Sequence, residues 1–306
     1  MTHLFIGIGN AGGAILDALM AYKEVRSAKP IVIKPKPEKK GDKGEKVEAI
    51  VKNAKSIEFA FLFSGFSDSN MTAHIAETLT GQKLKVFLVG ILPAKRREEK
   101  NALLNAYYAM EKLQEHVNSF IIVDNQRIAH LPNFEEYYSK YNKYIASCLV
   151  DILIGTSRPD SLSSKSQLAM NVEDVLKATS FENEPGYVAL SRASELTKEL
   201  WGYIFPFLQH KPLDLSTLLH VSMDKLSVSD VPMGCEKSVT LLQVPKYYTR
   251  SKSVDRELIE EFMAVRSKES HLAVSTTKRN MVSVTNMFTY KFDQLERLQE
   301  IRRLAL

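Results

Sequence analysis

Short runs of wholly apolar residues, each followed by small or polar residues and then by a helical pattern, constrain this chain more than any other feature. Leu4 to Ile6, Ile31 to Ile33, Phe59 to Phe63, Val86 to Leu92 and Phe120 to Val123 are such runs. A strand that is apolar on both faces needs cover on both, so the pattern predicts a mostly parallel sheet between two layers of helix. Helices are expected over Ala14–Met20, Val47–Ala54, from Met71 through Leu79, and over Asn101–His116. In the last of these, Leu103, Leu104, Tyr107, Met110 and Leu113 share one face. Ligands of such sheets bind at the carboxyl ends of the strands. The turns Gly9–Gly13, Ser64–Asn70 and Asp124-Asn125 would meet there.

The first of these turns follows the first apolar run directly, as Gly7-Ile8-Gly9-Asn10-Ala11-Gly12-Gly13. Glycines let a backbone approach a ligand, and a helix start offers unpaired N–H groups with a partial positive charge. Gly7, Gly9 and Gly12 also fit the GxGxxG spacing of dinucleotide sites. The same glycines serve equally for a tight strand-to-helix connection.

Phe134 to Ile154 reads as one long helix, with Tyr138, Tyr141, Ile145, Cys148 and Ile152 at helical spacing. Gly155, Pro159 and the serines of Ser161–Ser166 then mark a boundary. The 306 residues thus divide into 1–133, a central helix 134–156, and a second unit 157–306. The second unit reads as a smaller α+β domain with a mixed sheet. Its expected helices are Val172–Thr179, Ser191–Phe207, Asp255–Ala264 and Phe292–Leu304. Its expected strands are Thr217–Met223, Ser238–Gln243, His271–Ser275 and Met281–Tyr290.

Composition narrows the function classes. Cys148 and Cys235 are far apart and match no metal spacing, which predicts a reducing cytoplasm and no metal cluster. No apolar run approaches the ~18 residues of a membrane span, and the first run is too short for a signal peptide. The net charge of +5 is modest, and its lysines crowd into 34–46 between glutamates and aspartates without aromatics. That segment reads as a solvated loop, or as a basic flap over an anion, and not as a nucleic-acid surface.

Polar residues at the expected crevice suggest what it reads. Asn125 can present a donor and an acceptor to a purine edge or a ribose, or simply close a turn. Tyr138 and Asn142 lie one helical turn apart, so a ring that could stack on a base and an amide that could read it face one side. An amide on an apolar helix face also needs a partner.

In this order the glycine turn, the small-residue turn, Asp124-Asn125 and the long helix with Tyr138 and Asn142 resemble the tubulin/FtsZ superfamily. GIGNAGG looks most like its archaeal CetZ-type members. Phe120 to Ile128 resembles the family's strand and guanine-contact segment, and Arg279 to Leu304 is similar to the end of its second domain. The resemblance spans nearly the whole chain. It implies a Rossmann-like GTP-binding domain, a central helix and an α+β second domain, with subunits stacking head to tail or joining another tubulin/FtsZ-like protein. The implied ligand is GTP or GDP, with Mg2+ admitted as counter-ion. Gly9, Asn10, Ala11 and Gly12 would cradle phosphate, with Gly65, Ser67 and Ser69 on the second loop. Asn125 and Asn142 would contact guanine, and Tyr138 would stack on it. Asn171, Glu173 and Asp174 would form the acidic loop that completes a neighbour's hydrolytic site. The same three residues also read as a helix N-cap with an acidic first turn.

The chain departs from the family at the second loop. The signature GGGTG(S/T)G is Ser64-Gly65-Phe66-Ser67-Asp68-Ser69-Asn70 here. Side chains on a loop meant to hug phosphate weaken hydrolysis more than binding, and Asp68 would repel phosphate. Two other readings stay open. One is an NADP-dependent Rossmann oxidoreductase with Lys34 or Lys36 on the 2′-phosphate. The other is a nucleotide-free pseudo-GTPase acting as a structural partner.

Overall fold

The computed structural model describes residues 2–34, 57–66, 69–95, 100–157, 170–198, 211–251 and 253–305. The expected helix at 47–54 and most of the lysine-rich segment lie outside them. Among the described residues, nine strands form one sheet. They are β1 (Thr2–Ile8), β2 (Ile31–Ile33), β3 (Ile57–Gly65), β4 (Lys85–Leu92), β5 (Ser119–Asp124), β6 (Gly186–Leu196), β7 (Cys235–Pro245), β8 (Ser267–Thr277) and β9 (Met281–Tyr290). Their spatial order is β2-β1-β3-β4-β5-β6-β9-β7-β8. Only β9 runs against its neighbours. β6 pairs with β5 in parallel, so the strands of the second half continue the first sheet, and their mixed pairing comes from β9.

The helices are α1 (Gly9–Met20), α2 (Lys23–Ser27), α3 (Ser69–Gly81), α4 (Lys100–Leu113), α5 (Gln126–Ala129), α6 (Phe134–Ser157), α7 (Val172–Ala178), α8 (Leu215–Met223), α9 (Lys246–Arg250), α10 (Arg256–Ala264) and α11 (Glu296–Ala305). Strand alternation sends successive residues to opposite faces. Leu4, Ile6, Ile8 and Leu62 pack with Ile75 and Leu79 of α3, Met110 of α4, and Leu298 and Ile301 of α11. Phe5, Phe61 and Phe63 turn the other way, onto Ile15 and Leu19 of α1, Ile145 and Leu149 of α6, and Val175 of α7. Phe61 and Phe87 stack there at 4.8 Å and 7°. A smaller core joins α8 and α10 to Leu242, Val244, Val282 and Val284. This is the doubly covered α/β sheet that the apolar runs predict.

Three local expectations are corrected. Ser191 to Leu196 belongs to strand β6, not to a helix over Ser191–Phe207; residues 199–210 lie outside the described set. Arg192, Ala193, Glu195 and Leu196 favour helix intrinsically, and the ladder to β9, with the Asn286 amide donating to Ser191 Oγ at 3.0 Å, overrides that preference. Thr217–Met223 is part of helix α8, not a strand. Asp214 caps it by accepting the Thr217 N–H at 2.9 Å, and Leu215, Leu218, Leu219 and Ser222 bury one face. Finally, α1 begins at Gly9, so the glycines form its first turn instead of preceding it.

Candidate functional site

Register aligns the carboxyl ends of four strands. Ile8 pairs with Ser64, Gly65 with Ile91, and Leu92 with Asp124. The segments after β1, β3 and β5 therefore share one edge of the sheet.

At the first, the chain leaves β1 through extended Ile8 and turns at Gly9, whose φ of 65° favours glycine. Helix α1 starts at once, with no side-chain cap and no acidic residue in its first turn. Gly9, Asn10 and Ala11 are exposed, and their amides lack intrahelical partners by geometry. Gly12 is buried for a different reason. A Cβ there would lie 1.9 Å from the Phe63 carbonyl oxygen, so α1 rests directly on the backbone of β3. Gly13 faces open space.

The second segment is more closed. Ser64 is buried, and its hydroxyl donates to the Gly65 carbonyl at 2.9 Å and shares a hydrogen bond with Thr72 Oγ1 at 2.6 Å. Phe66 packs over Gly90, where a Cβ would come within 2.4 Å of its ring. Ser67 and Asp68 lie outside the described residues, as does the side chain of Ser69.

At the third, Asp124 and Asn125 take different roles. Asp124 is fully buried. Its Oδ1 accepts the Gln126 N–H at 3.0 Å and Arg297 Nε at 3.3 Å, and its Oδ2 accepts the Ser229 N–H at 3.3 Å. It is a structural hub. Asn125 immediately precedes the short helix α5, and its carbonyl accepts from the Ile128 and Ala129 N–H groups at 3.2 Å. Its half-buried side chain makes no cap bond.

Helix α6 passes this edge at Tyr141, whose hydroxyl donates to the Ser227 carbonyl at 2.9 Å and to that of Asp124 at 3.3 Å. Tyr138 and Asn142 flank Tyr141 and are half-buried. Phe134 meets the Tyr138 ring edge-on at 5.6 Å. Asn142 makes no hydrogen bond among the described residues.

Asn171, Glu173 and Asp174 stand elsewhere. Helix α7 lies toward the amino ends of the strands, where Ala178 O accepts from Thr289 and β6 begins opposite Ser119. Asn171 Oδ1 accepts the Asp174 N–H and Asp174 Oδ2 accepts the Asn171 N–H, both at 2.9 Å. Glu173 pairs with Lys177 at 3.4 Å. Within one chain these residues do not meet the Gly9 edge.

Three buried titratable groups away from this edge, Cys148, Cys235 and Asp151, are built into the core. Burial pushes the Cys148 and Cys235 thiols each up to about 12, so neither is a ready nucleophile. Asp151, buried on α6, accepts Arg192 Nε at 2.7 Å and the Thr285 hydroxyl at 2.9 Å, tying the central helix to β6 and β9. Among the described residues no group of three His, Cys, Asp or Glu could hold a metal ion, and no helix is long and apolar enough to cross a membrane.

No family model matches the chain, and no curated protein matches it in sequence. Solved structures do match. CetZ2 from Haloferax volcanii, in a GTPγS-bound protofilament, superposes with a TM-score of 0.70 at 16% identity, over 100% of this chain and 97% of that one. CetZ1 from Haloferax volcanii, a GDP-bound monomer, gives 0.70 at 16%, over 100% and 98%. An empty FtsZ dimer from M. jannaschii gives 0.59 at 13%, over 94% and 88%. The chain has the tubulin/FtsZ fold. Within that fold its likeness to the CetZ proteins extends over its full length.

Proposed function

We propose that this is a tubulin-like protein that binds GTP or GDP at the carboxyl edge of its sheet and self-associates head to tail. The uncapped start of α1 carries the reading: Gly9, Asn10 and Ala11 are exposed, the first turn holds no acidic residue, and its unpaired amides would form an anion site. Asn125, Tyr138 and Asn142 would read the base, Asn142 supplying an amide that makes no hydrogen bond among the described residues. Residues 1–133, 134–156 and 157–306 would serve as nucleotide unit, central helix and second unit. Because Asn171, Glu173 and Asp174 lie toward the opposite edge, they would reach a nucleotide only on a neighbouring copy. Head-to-tail stacking supplies that geometry. A second subunit type of the same fold would do so equally.

Lys34 is drawn to Asp17, which weakens its claim on an NADP 2′-phosphate. Ser64 and Phe66 fill the second turn, and this favours slow or absent hydrolysis over loss of binding. Titration of GTP, GDP, ATP and NADPH against the purified protein tests the reading. Guanine nucleotides should bind tightest, and Asn142→Ala should weaken GDP about tenfold. Equal affinity for all four would sink it.

A further inference from the structure

Arg297 of α11 reaches the same edge from the end of the chain. Its guanidinium is 2% exposed and the Asp124 carboxylate it meets is 0% exposed. Nε donates to Asp124 Oδ1 at 3.3 Å, Nη1 to Glu300 Oε2 at 2.7 Å and Nη2 to the Pro93 carbonyl at 2.5 Å. Lys95 closes the network on Glu300. One side chain thus joins the turn after β4 to the end of β5.

The carboxylate that Arg297 holds also holds the turn presenting Asn125. Asp124 Oδ1 accepts the Gln126 N–H, and the Asn125 N–H itself donates to Leu92 O at 3.2 Å. Packing alone does not call for an ion here. Leu295, Leu298 and Ile301 already bury the apolar face of α11, and desolvating a guanidinium costs several kcal/mol. What the planar fork adds is direction, since it addresses three acceptors at fixed angles.

We propose that Arg297 is a positioning residue for the Asn125 turn, so that the C-terminal helix sets how the candidate site reads a base. The base-reading part rests on the guanine assignment above; the clamp on residues 125–129 does not.

The test compares wild type with Arg297→Met and with the double variant Arg297→Met/Asp124→Asn, which leaves no buried carboxylate unpaired. Hydrogen exchange should quicken at the amides of 126–129 while those of α1 keep their protection. The preference for GDP over ADP should fall about tenfold while affinity for inorganic pyrophosphate stays within about twofold. Unchanged exchange at 126–129 overturns the clamp. A parallel loss of GDP and pyrophosphate affinity shows a merely structural role and overturns the positioning claim. A wild type without preference for GDP over ADP overturns the guanine reading and the base-reading claim, and the exchange result then decides the clamp alone.

Discussion

Two helix starts in this chain, α1 and α7, carry residues suited to binding, and the protein finishes them in opposite ways. At α7 a reciprocal pair of 2.9 Å bonds between Asn171 and Asp174 occupies two of the start's N–H groups, those of Asn171 and Asp174, and Glu173 adds negative charge. At α1 the cap is Ile8, which offers no side-chain cap bond, and the first turn carries glycines and no acidic residue. A helix start is available to an anion only where side chains have not already closed it. Residue type marks both segments; hydrogen-bond closure separates them.

The sharpest break of this comparison lies in α1 itself, at adjacent glycines. Gly12→Ala should destabilise the protein by about 3 kcal/mol, because the new methyl meets the Phe63 carbonyl with no side chain able to yield. Gly13→Ala, facing open space, should stabilise it by about 0.5–1 kcal/mol through helix propensity. Urea midpoints of the two variants check this, and equal midpoints would mean α1 does not rest on β3. A smaller effect belongs to α7. Asn171→Ala should cost about 1 kcal/mol by the same measurement and leave GDP affinity of the isolated chain unchanged. A drop in affinity would put the acidic segment in the binding chain's own site. The smallest effect sits at a third start, α8. The Thr217 N–H holds the Asp214 carboxyl below its ordinary 3.8. The folded form therefore gives up its charge later than the unfolded one. The cap's stabilisation is full above 3.8 and lost as pH falls through the depressed value. Asp214→Asn should flatten the stability profile in that window. An identical slope in the variant would remove Asp214 from acid sensitivity.

Legibility in the sequence followed the range of the deciding interactions. Phe59 to Phe63 and Phe120 to Val123 read as buried strands because the pattern is local and the penalty for exposing it is large. The Asp214 cap and the spacing of Leu215, Leu218 and Leu219 are local signals of α8, and the apolar run from Thr217 onward is equally compatible with a strand. The Gly9 edge was legible as a place. Arg297 was not: on an amphipathic helix with Arg302 and Arg303 it reads as one more surface cation.

The sequence by itself determined the alternation of strand and helix and the glycine-marked start of α1, since both follow from periodicity and backbone freedom within a dozen residues. Only the tertiary structure decided that Asp124 is a hub while the Asn125 side chain makes no cap bond. It also decided that β6 is a strand and that the acidic helix start lies away from the glycines. Those outcomes depend on groups such as Arg297, Ser229 and Asn286, brought from as much as 173 positions away to satisfy polar atoms that burial leaves no other way to pair.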